Sequence, residues 1–452
     1  MSTPLRWSVV RVDEVYDGET VYRELFAAEP TAFWLDGSLV PTGRASVLGT
    51  TTGPGAEVVV RDVADGDAFA EMQALLATRH GDVPAELADI FCGGYVGFFG
   101  YELKALTGGA VAHEAPTPDS LWIWANRFVV IDHARARTFL VAVHPDEEAA
   151  AAEAWLRKAA ASASNWYMGS TSKPFAGLDI EAHLEQDREA YLAGIDACRE
   201  ALEAGQTYEV CLTNRVRLPA VVDPFEFFLW QREANPAPYA AFVRHGDLAL
   251  ASSSPERFLA VDADGWAECR PIKGTAPRLD DPEKNRIAAA ELAADEKTRA
   301  ENLMIVDLIR NDLGRVSMPG SVQVPQLMAV ETYETVHQLV TSVRGRLRDD
   351  VDAIDAVRAC FPPGSMTGAP KIRTMQLIDE LESSARGIYS GALGWLSVDG
   401  RADLSVVIRT AVLTPSETVV GAGGAIVLDS DPFAEYDEML LKATATLRGS
   451  AT

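Results

Sequence analysis

Near the end of the chain three apolar runs follow one another with only short polar breaks: YSGALGWLSV from Tyr389, ADLSVVIRTAVL from Ala402 and TVVGAGGAIVL from Thr418. Each reads as a strand. Strands grouped with strands, without regular strand–helix alternation, favour α+β layers over a doubly wound sheet. The first third has the same character. WSVVRV, TAFWL, AEVVVRDV, LWIWANRFVVIDH and TFLVAV are short β-rich runs broken by Gly, Pro and Asp, so residues 1 to about 145 read as mostly strand. CGGYVGFFGYEL (92–103) reads as a strand held close against other backbone, because its glycines leave room for that approach.

Helical periodicity appears elsewhere. EAHLEQDREAYLAGIDACREALEAG (181–205) reads as one long amphipathic helix closed by Gly205. KNRIAAAELAADEKTRAENLMIVDLIRNDLG (284–314) reads as helix ending at Gly314, and the Ala/Glu-rich stretch from Asp146 to Ala161 is also helical. Between 162 and 178 the composition turns to Ser, Gly and Pro, the signature of an exposed linker. The expected division is therefore a strand-rich region 1–170 and a second region 178–450.

The 452 residues hold 48% hydrophobic side chains, ample for a large core, yet carry a formal charge of −26. Such a surface repels nucleic acid phosphates and anionic lipid, so neither is expected as a partner. An anionic substrate would need a local cluster of Lys, Arg or metal. The five cysteines, Cys92, Cys198, Cys211, Cys269 and Cys360, are widely spaced and form no CxxC pair, which argues for reduced thiols. The N-terminus lacks an apolar core of signal-peptide length, and a cytoplasmic location is expected.

Several short motifs can carry chemistry. In DSDPFAEYDEMLLKA, Asp431 stands at an N-cap position and Pro432 at the first helical position. Glu435, Glu438 and Lys442 then share one helix face. Glu301 opens an apolar helical run, an odd place for a carboxylate unless it meets a cation. Two helices each offering an inward Glu suit a hard ion such as Mg²⁺. RPIKGTAPR (270–278) presents Lys273 from a loop fixed by two prolines, a candidate nucleophile. SSSPERF (252–258) places Glu256 after a turn, where it is either a surface acid or a general acid/base. His337 lies in an apolar context and reads by default as packed and hydrogen-bonded. Arg409 ends a strand and could clamp a carboxylate. The glycine strings GSMTGAPK and GAGGA match neither a P-loop nor a dinucleotide fingerprint, but both can offer backbone N–H groups to an anion.

In order and in register, SSSPERF, PIKGTAPR, DEKTRAENLMIVDLIRNDLGRV, CFPPGSMTGAPKIRTMQLIDELE, YSGALGWLSVDG, LSVVIRT and GAGGAIVLDSDPFAEYDEMLLKA resemble the chorismate-utilising enzymes. The resemblance runs from about 205 to 448 and is weaker before that. It implies two packed antiparallel β-sheets flanked by helices, with N- and C-terminal parts intertwined. It also implies Mg²⁺ on Glu301 and Glu438, with Glu435 in support; Thr298 stands where many members have a further carboxylate. Substrate contacts would come from Gly274, Thr275, Tyr389, Arg409, Gly423, Ala425 and Lys442. The catalytic set would be Lys273, Glu256, Glu209 and His337, the last near the ring carboxylate.

Within the family, PIKGT resembles the aminodeoxychorismate synthase branch, in which the lysine amine attacks ring C2 and ammonia then displaces it from C4. Glu209 stands where water-adding members have Lys, which disfavours water addition. A lowered lysine pKa is expected from a nearby dication. Chorismate and ammonia are the implied substrates. No glutaminase is recognisable, so a separate glutamine amidotransferase subunit, component II, is implied. The rival readings are anthranilate synthase component I and a non-catalytic tryptophan- or chorismate-binding protein.

Overall fold

A computed structural model describes residues 4–39, 45–162, 175, 177–333 and 336–448. Most of the expected 162–178 linker lies outside the described residues. The fold is α+β, with two large antiparallel sheets packed on each other and helices outside them. The first sheet has eleven strands, in the order Arg6–Val12, Arg137–His144, Arg127–Asp132, Ser46–Thr50, Thr31–Asp36, Tyr239–His245, Leu248–Ser254, Thr410–Leu413, Glu417–Ile426, Glu209–Pro219 and Gly368–Ala369. The second contains Ile272–Pro277, Val336–Arg346, Trp266–Arg270, Arg257–Val261, Ala402–Val406, Ala392–Ser397, Gly94–Phe99, Ser120–Trp124 and Val58–Arg61, with Gln323–Thr332 paired on Val336–Arg346. Both sheets draw strands from both ends of the chain.

Period-two alternation explains why these strands read as continuous apolar runs. Along Thr31–Asp36, Phe33 and Leu35 enter the core between the sheets, beside Phe98, Trp122 and Leu404. Ala32 and Trp34 face the opposite way, into a second core with Phe225 and Phe228 of the helix Pro224–Ala234 and with Tyr436 and Met439. Both faces are covered, so all six residues are buried. The glycines of the 92–103 segment do allow close approach. A Cβ at Gly97 would stand 1.9 Å from the Leu121 carbonyl oxygen, and one at Gly94 would stand 2.1 Å from that of Leu396.

Three helical expectations change. The 181–205 helix begins only at Arg188, because Asp187 caps it by accepting from the Ala190 N–H. The 284–314 helix is two helices, Pro282–Ala294 and Glu296–Gly314. Asp295 is extended between them (ψ 116°) and accepts from Thr298 N–H at 2.7 Å, starting a new helix in a new direction. The strand-rich first third also holds the helices Gly18–Leu25 and Ala68–Thr78, each started by an Asp cap. Among the described residues no helix is long and apolar enough to cross a membrane. All five cysteines are buried and free of disulfides.

Candidate active site

Five elements bring the predicted side chains together. Glu209 begins the strand Glu209–Pro219, which pairs with Glu417–Ile426 and so sets Cys211 opposite Ala425. Lys273 lies on Ile272–Pro277, Glu301 on the helix Glu296–Gly314, and Glu435, Glu438 and Lys442 on the helix Pro432–Arg448. Asp431 starts that last helix by accepting from Phe433 and Ala434 N–H at 3.0 and 2.9 Å.

The tightest contact is between Lys273 and Glu209. Lys273 Nζ donates to Glu209 Oε1 at 2.6 Å; the lysine is 8% exposed and the glutamate 0%. Glu209 Oε2 is buried with no hydrogen-bond partner among the described residues. Burial alone lowers an amine's pKa, but here Glu209 and Glu301 outweigh it and push Lys273 above its ordinary range. The carboxylates around the lysine dominate its charge, while the lowering expected from a dication concerns the metal-bound cleft.

Gly274 turns the chain beside this lysine at φ +78°, and a Cβ there would meet Thr298 Cγ2 at 2.4 Å. Thr298, which replaces an expected carboxylate, thus serves as the wall behind Gly274. Thr275 is exposed. His337, paired with Ala276 across the neighbouring strand, has both ring nitrogens engaged, Nδ1 with Thr332 Oγ1 at 2.9 Å and Nε2 with Asn285 Oδ1 at 2.7 Å.

Glu256 follows the strand Leu248–Ser254 and is buried. Burial pushes its carboxyl up to about 7, against the lowering effect of Ser365, Lys273 and Lys442. Ser365 Oγ donates to Glu256 Oε1 at 2.7 Å. That serine belongs to the glycine string GSMTGAPK, so the string contributes a side chain as well as backbone. Beyond it, Lys371 Nζ donates to the Cys360 and Pro362 carbonyls and pairs with Asp312 at 2.7 Å, which fixes the loop from inside.

The carboxylates gather over the glycine-rich strand. At Gly424 a Cβ would stand 3.0 Å from Glu435 Oε2 and 3.8 Å from Glu438 Oε1. At Gly421 it would stand 2.4 Å from the Tyr389 ring. Lys442 Nζ bonds Glu438 Oε1 at 2.6 Å and the Gly423 carbonyl at 2.8 Å. Burial raises Glu438, but Lys442 and more distant lysines prevail and hold it below the ordinary carboxylate range. Glu301 has weaker compensation, and burial pushes it up to about 7. Lys297, which sequence reasoning passed over, joins Glu435 Oε1 at 2.7 Å and Glu301 Oε1 at 3.8 Å. Its signal was available: it lies four residues before Glu301 on the same helix face.

Arg409 is held with a left-handed backbone (φ +52°), an unusual state for a bulky residue. Its carbonyl accepts from Ser253 N–H and Gln231 Nε2 at 3.0 and 3.2 Å, which holds this conformation. Among the described residues its guanidinium reaches only the Lys442 carbonyl, at 3.5 Å, and burial lowers its pKa. A half-buried guanidinium with such weak pairing is suited to an incoming carboxylate.

The donors also suit a metal. Glu301, Glu435 and Glu438 supply hard oxygens of the kind Mg²⁺ prefers, although among the described residues no three such groups yet converge as a cage. The cleft is filled by its own ion pairs; a cavity beside Glu256 and Ser365 measures only about 10 Å³. A roomier cavity of about 960 Å³, lined by Tyr208, Leu303, Met304 and Ile372, contains none of the predicted site residues.

Residues 33–448 match the chorismate binding enzyme family. The chain belongs to that family. It is 46% identical, over 98% of its length, to an aminodeoxychorismate synthase of Streptomyces pristinaespiralis. It spans less than two thirds of that relative, 65%. An aminodeoxychorismate synthase component 1 of Salmonella typhimurium is 40% identical over 79% of this chain and 76% of its own. The crystal structure of anthranilate synthase component I from Streptococcus pneumoniae superposes with a TM-score of 0.77 at 28% identity, covering 97% of this chain and 100% of the other.

Proposed function

We propose that the chain aminates chorismate with ammonia to give 4-amino-4-deoxychorismate, and that a separate glutamine amidotransferase delivers the ammonia. The observation that carries this reading is the buried Lys273–Glu209 pair, at 2.6 Å, with Glu256 kept protonated up to about pH 7 in the same cleft. An amine nucleophile, a base in contact with it and a separate acid are what displacement of a ring hydroxyl requires. The relatives named aminodeoxychorismate synthase, at 46% and 40% identity, support the C4 branch over those named anthranilate synthase, at 35%.

In this reading Glu209 accepts a proton from Lys273, and the freed amine forms a bond to ring C2. Both conjugated ring double bonds shift, the C4–oxygen bond breaks, and Glu256 gives its proton to the leaving hydroxide, producing water. Ammonia then bonds to C4, both double bonds shift back, and the C2–nitrogen bond to Lys273 breaks. Glu256 takes the surplus proton from the new amine, and Glu209 returns its own to Lys273. Arg409 and Lys442 orient the substrate carboxylates, with Tyr389 and the backbone at Gly423 and Ala425 closing the cleft. Glu301 and Glu438 would hold Mg²⁺, with Glu435 in support; bound there, the ion supplies charge compensation for a substrate carboxylate.

The test is incubation of the purified chain with chorismate, Mg²⁺ and ammonium. The product is identified by mass and by its conversion to 4-aminobenzoate by an added lyase. Anthranilate as the main product, or chorismate left unconsumed, would overturn the reading.

A further inference from the structure

Lys297 is poorly placed for its own helix. It sits in the first turn of Glu296–Gly314, the end at which the helix dipole disfavours a cation. Instead it reaches across to Glu435, 138 residues away in sequence. The two partners differ in freedom. The Glu435 side chain is 3% exposed and also accepts from Ser430 Oγ at 2.6 Å, whereas the Lys297 side chain is 43% exposed. The carboxylate is fixed, and the ammonium, on a flexible four-carbon stem, is the member able to leave.

The charges of the cleft add a second argument. Glu209, Glu301, Glu435 and Glu438 face Lys273, Lys297, Lys442 and Arg409, so cations already stand against these carboxylates before any ligand enters. A dication meets an ammonium already seated on Glu435 and joins that carboxylate only as the ammonium leaves. Among the four cations Lys297 has the most exposed paired side chain, at 43%, against 32% for Lys442 and 9% for Lys273.

We propose that Lys297 is the resident counter-ion of this acidic cleft, and that a divalent cation binds by displacing its ammonium from between Glu435 and Glu301. This rests on the metal-binding part of the proposed function. Lys297 thereby acts as a positioning residue: it holds the carboxylates together while no dication is bound and keeps dication binding weak until a dianionic substrate restores the charge balance.

Binding of Mn²⁺ to the intact chain without chorismate, followed by the loss of the free-ion EPR signal, reads this without turnover. Lys297→Met should tighten Mn²⁺ binding by about ten-fold, the effect of removing one nearby, partly solvated charge. Lys297→Arg, which keeps the bridging cation, should bind as the wild type does. Equal or weaker binding by Lys297→Met would overturn the proposal. On the wild-type chain, acetylation of Lys297 by acetic anhydride, followed by peptide mass spectrometry, should accelerate several-fold when Mg²⁺ is added; an unchanged rate would also overturn it. Failure of every form to bind Mn²⁺, with or without chorismate, would remove the metal reading itself.

Discussion

Replacing Glu209 by Gln separates two roles that the structure gives one side chain. The substitution keeps the shape and one acceptor oxygen but removes the charge facing Lys273 at 2.6 Å. With Glu209 0% exposed and Lys273 8% exposed, the pair is buried, and breaking such a pair costs about 3–5 kcal/mol. Because Gln retains a hydrogen bond, the loss should fall near about 3 kcal/mol, read as a lower denaturant midpoint at unchanged slope. The lysine responds in the opposite sense. Glu209 is the largest influence raising its pKa; with that gone, burial is less opposed, the pKa falls and the free amine becomes more abundant. If Glu209 served only to hold the amine in place, turnover would stay the same or rise. If it is the base that frees the amine within the reaction, turnover should fall by about 10²–10⁴-fold, equivalent to about 3–5 kcal/mol of barrier. Steady-state assays at saturating chorismate, with product identified by mass, decide between the two. A Glu209→Gln chain that is folded and turns over at the wild-type rate or faster would refute the base assignment.

Other outcomes follow from the same geometry. Glu256 is pushed up to about 7, so its proton is held below that pH and lost above it; kcat at fixed free ammonia should fall as pH rises through 7. Glu256→Gln should lack that limb and be slower by about 10²–10⁴-fold. Arg409→Ala should remove charge-assisted bonds of about 1.5–3 kcal/mol, raising KM for chorismate by about ten-fold or more while kcat changes less. Gly274→Ala forces a left-handed Cβ to within 2.4 Å of Thr298 Cγ2. It should destabilise the chain by about 1–3 kcal/mol in chemical denaturation, and activity should fall with it because Lys273 is the adjoining residue.

Much of this was legible in the sequence because it depends on spacing along one element. Glu435, Glu438 and Lys442 share a helix face by arithmetic alone, and Asp431 announces where that helix starts. The α+β class followed from strands grouped with strands, and the two packed sheets from the family resemblance. What stayed hidden depends on contacts between distant segments. Nothing local distinguishes Asp295 from an ordinary helical residue, yet its cap splits one expected helix into two. Ser365 gained meaning only when the loop holding it reached Glu256. The ion pairing of Lys273 stayed hidden because sequence supplied the idea of a dication but not the number of carboxylates within reach. His337 illustrates the reverse. Its expected place near a substrate carboxylate competes with the default reading of a packed histidine, and its two engaged nitrogens favour the latter.

The acidity of the chain and the chemistry of its cleft are then compatible for a physical reason. At physiological salt, exposed charges are screened within about 8 Å, so the −26 of the whole chain exerts little force on buried groups. Inside the cleft that screening is weaker, and each buried carboxylate must be matched by a nearby cation or take up a proton. Glu209 and Glu438 have lysines of their own at 2.6 Å, whereas Glu301, 3.8 Å from a half-exposed ammonium, is pushed up to about 7. The carboxylate with the poorest internal match is therefore the one with most to gain from an added dication, which is why Glu301, rather than the better-paired Glu438, should dominate metal affinity.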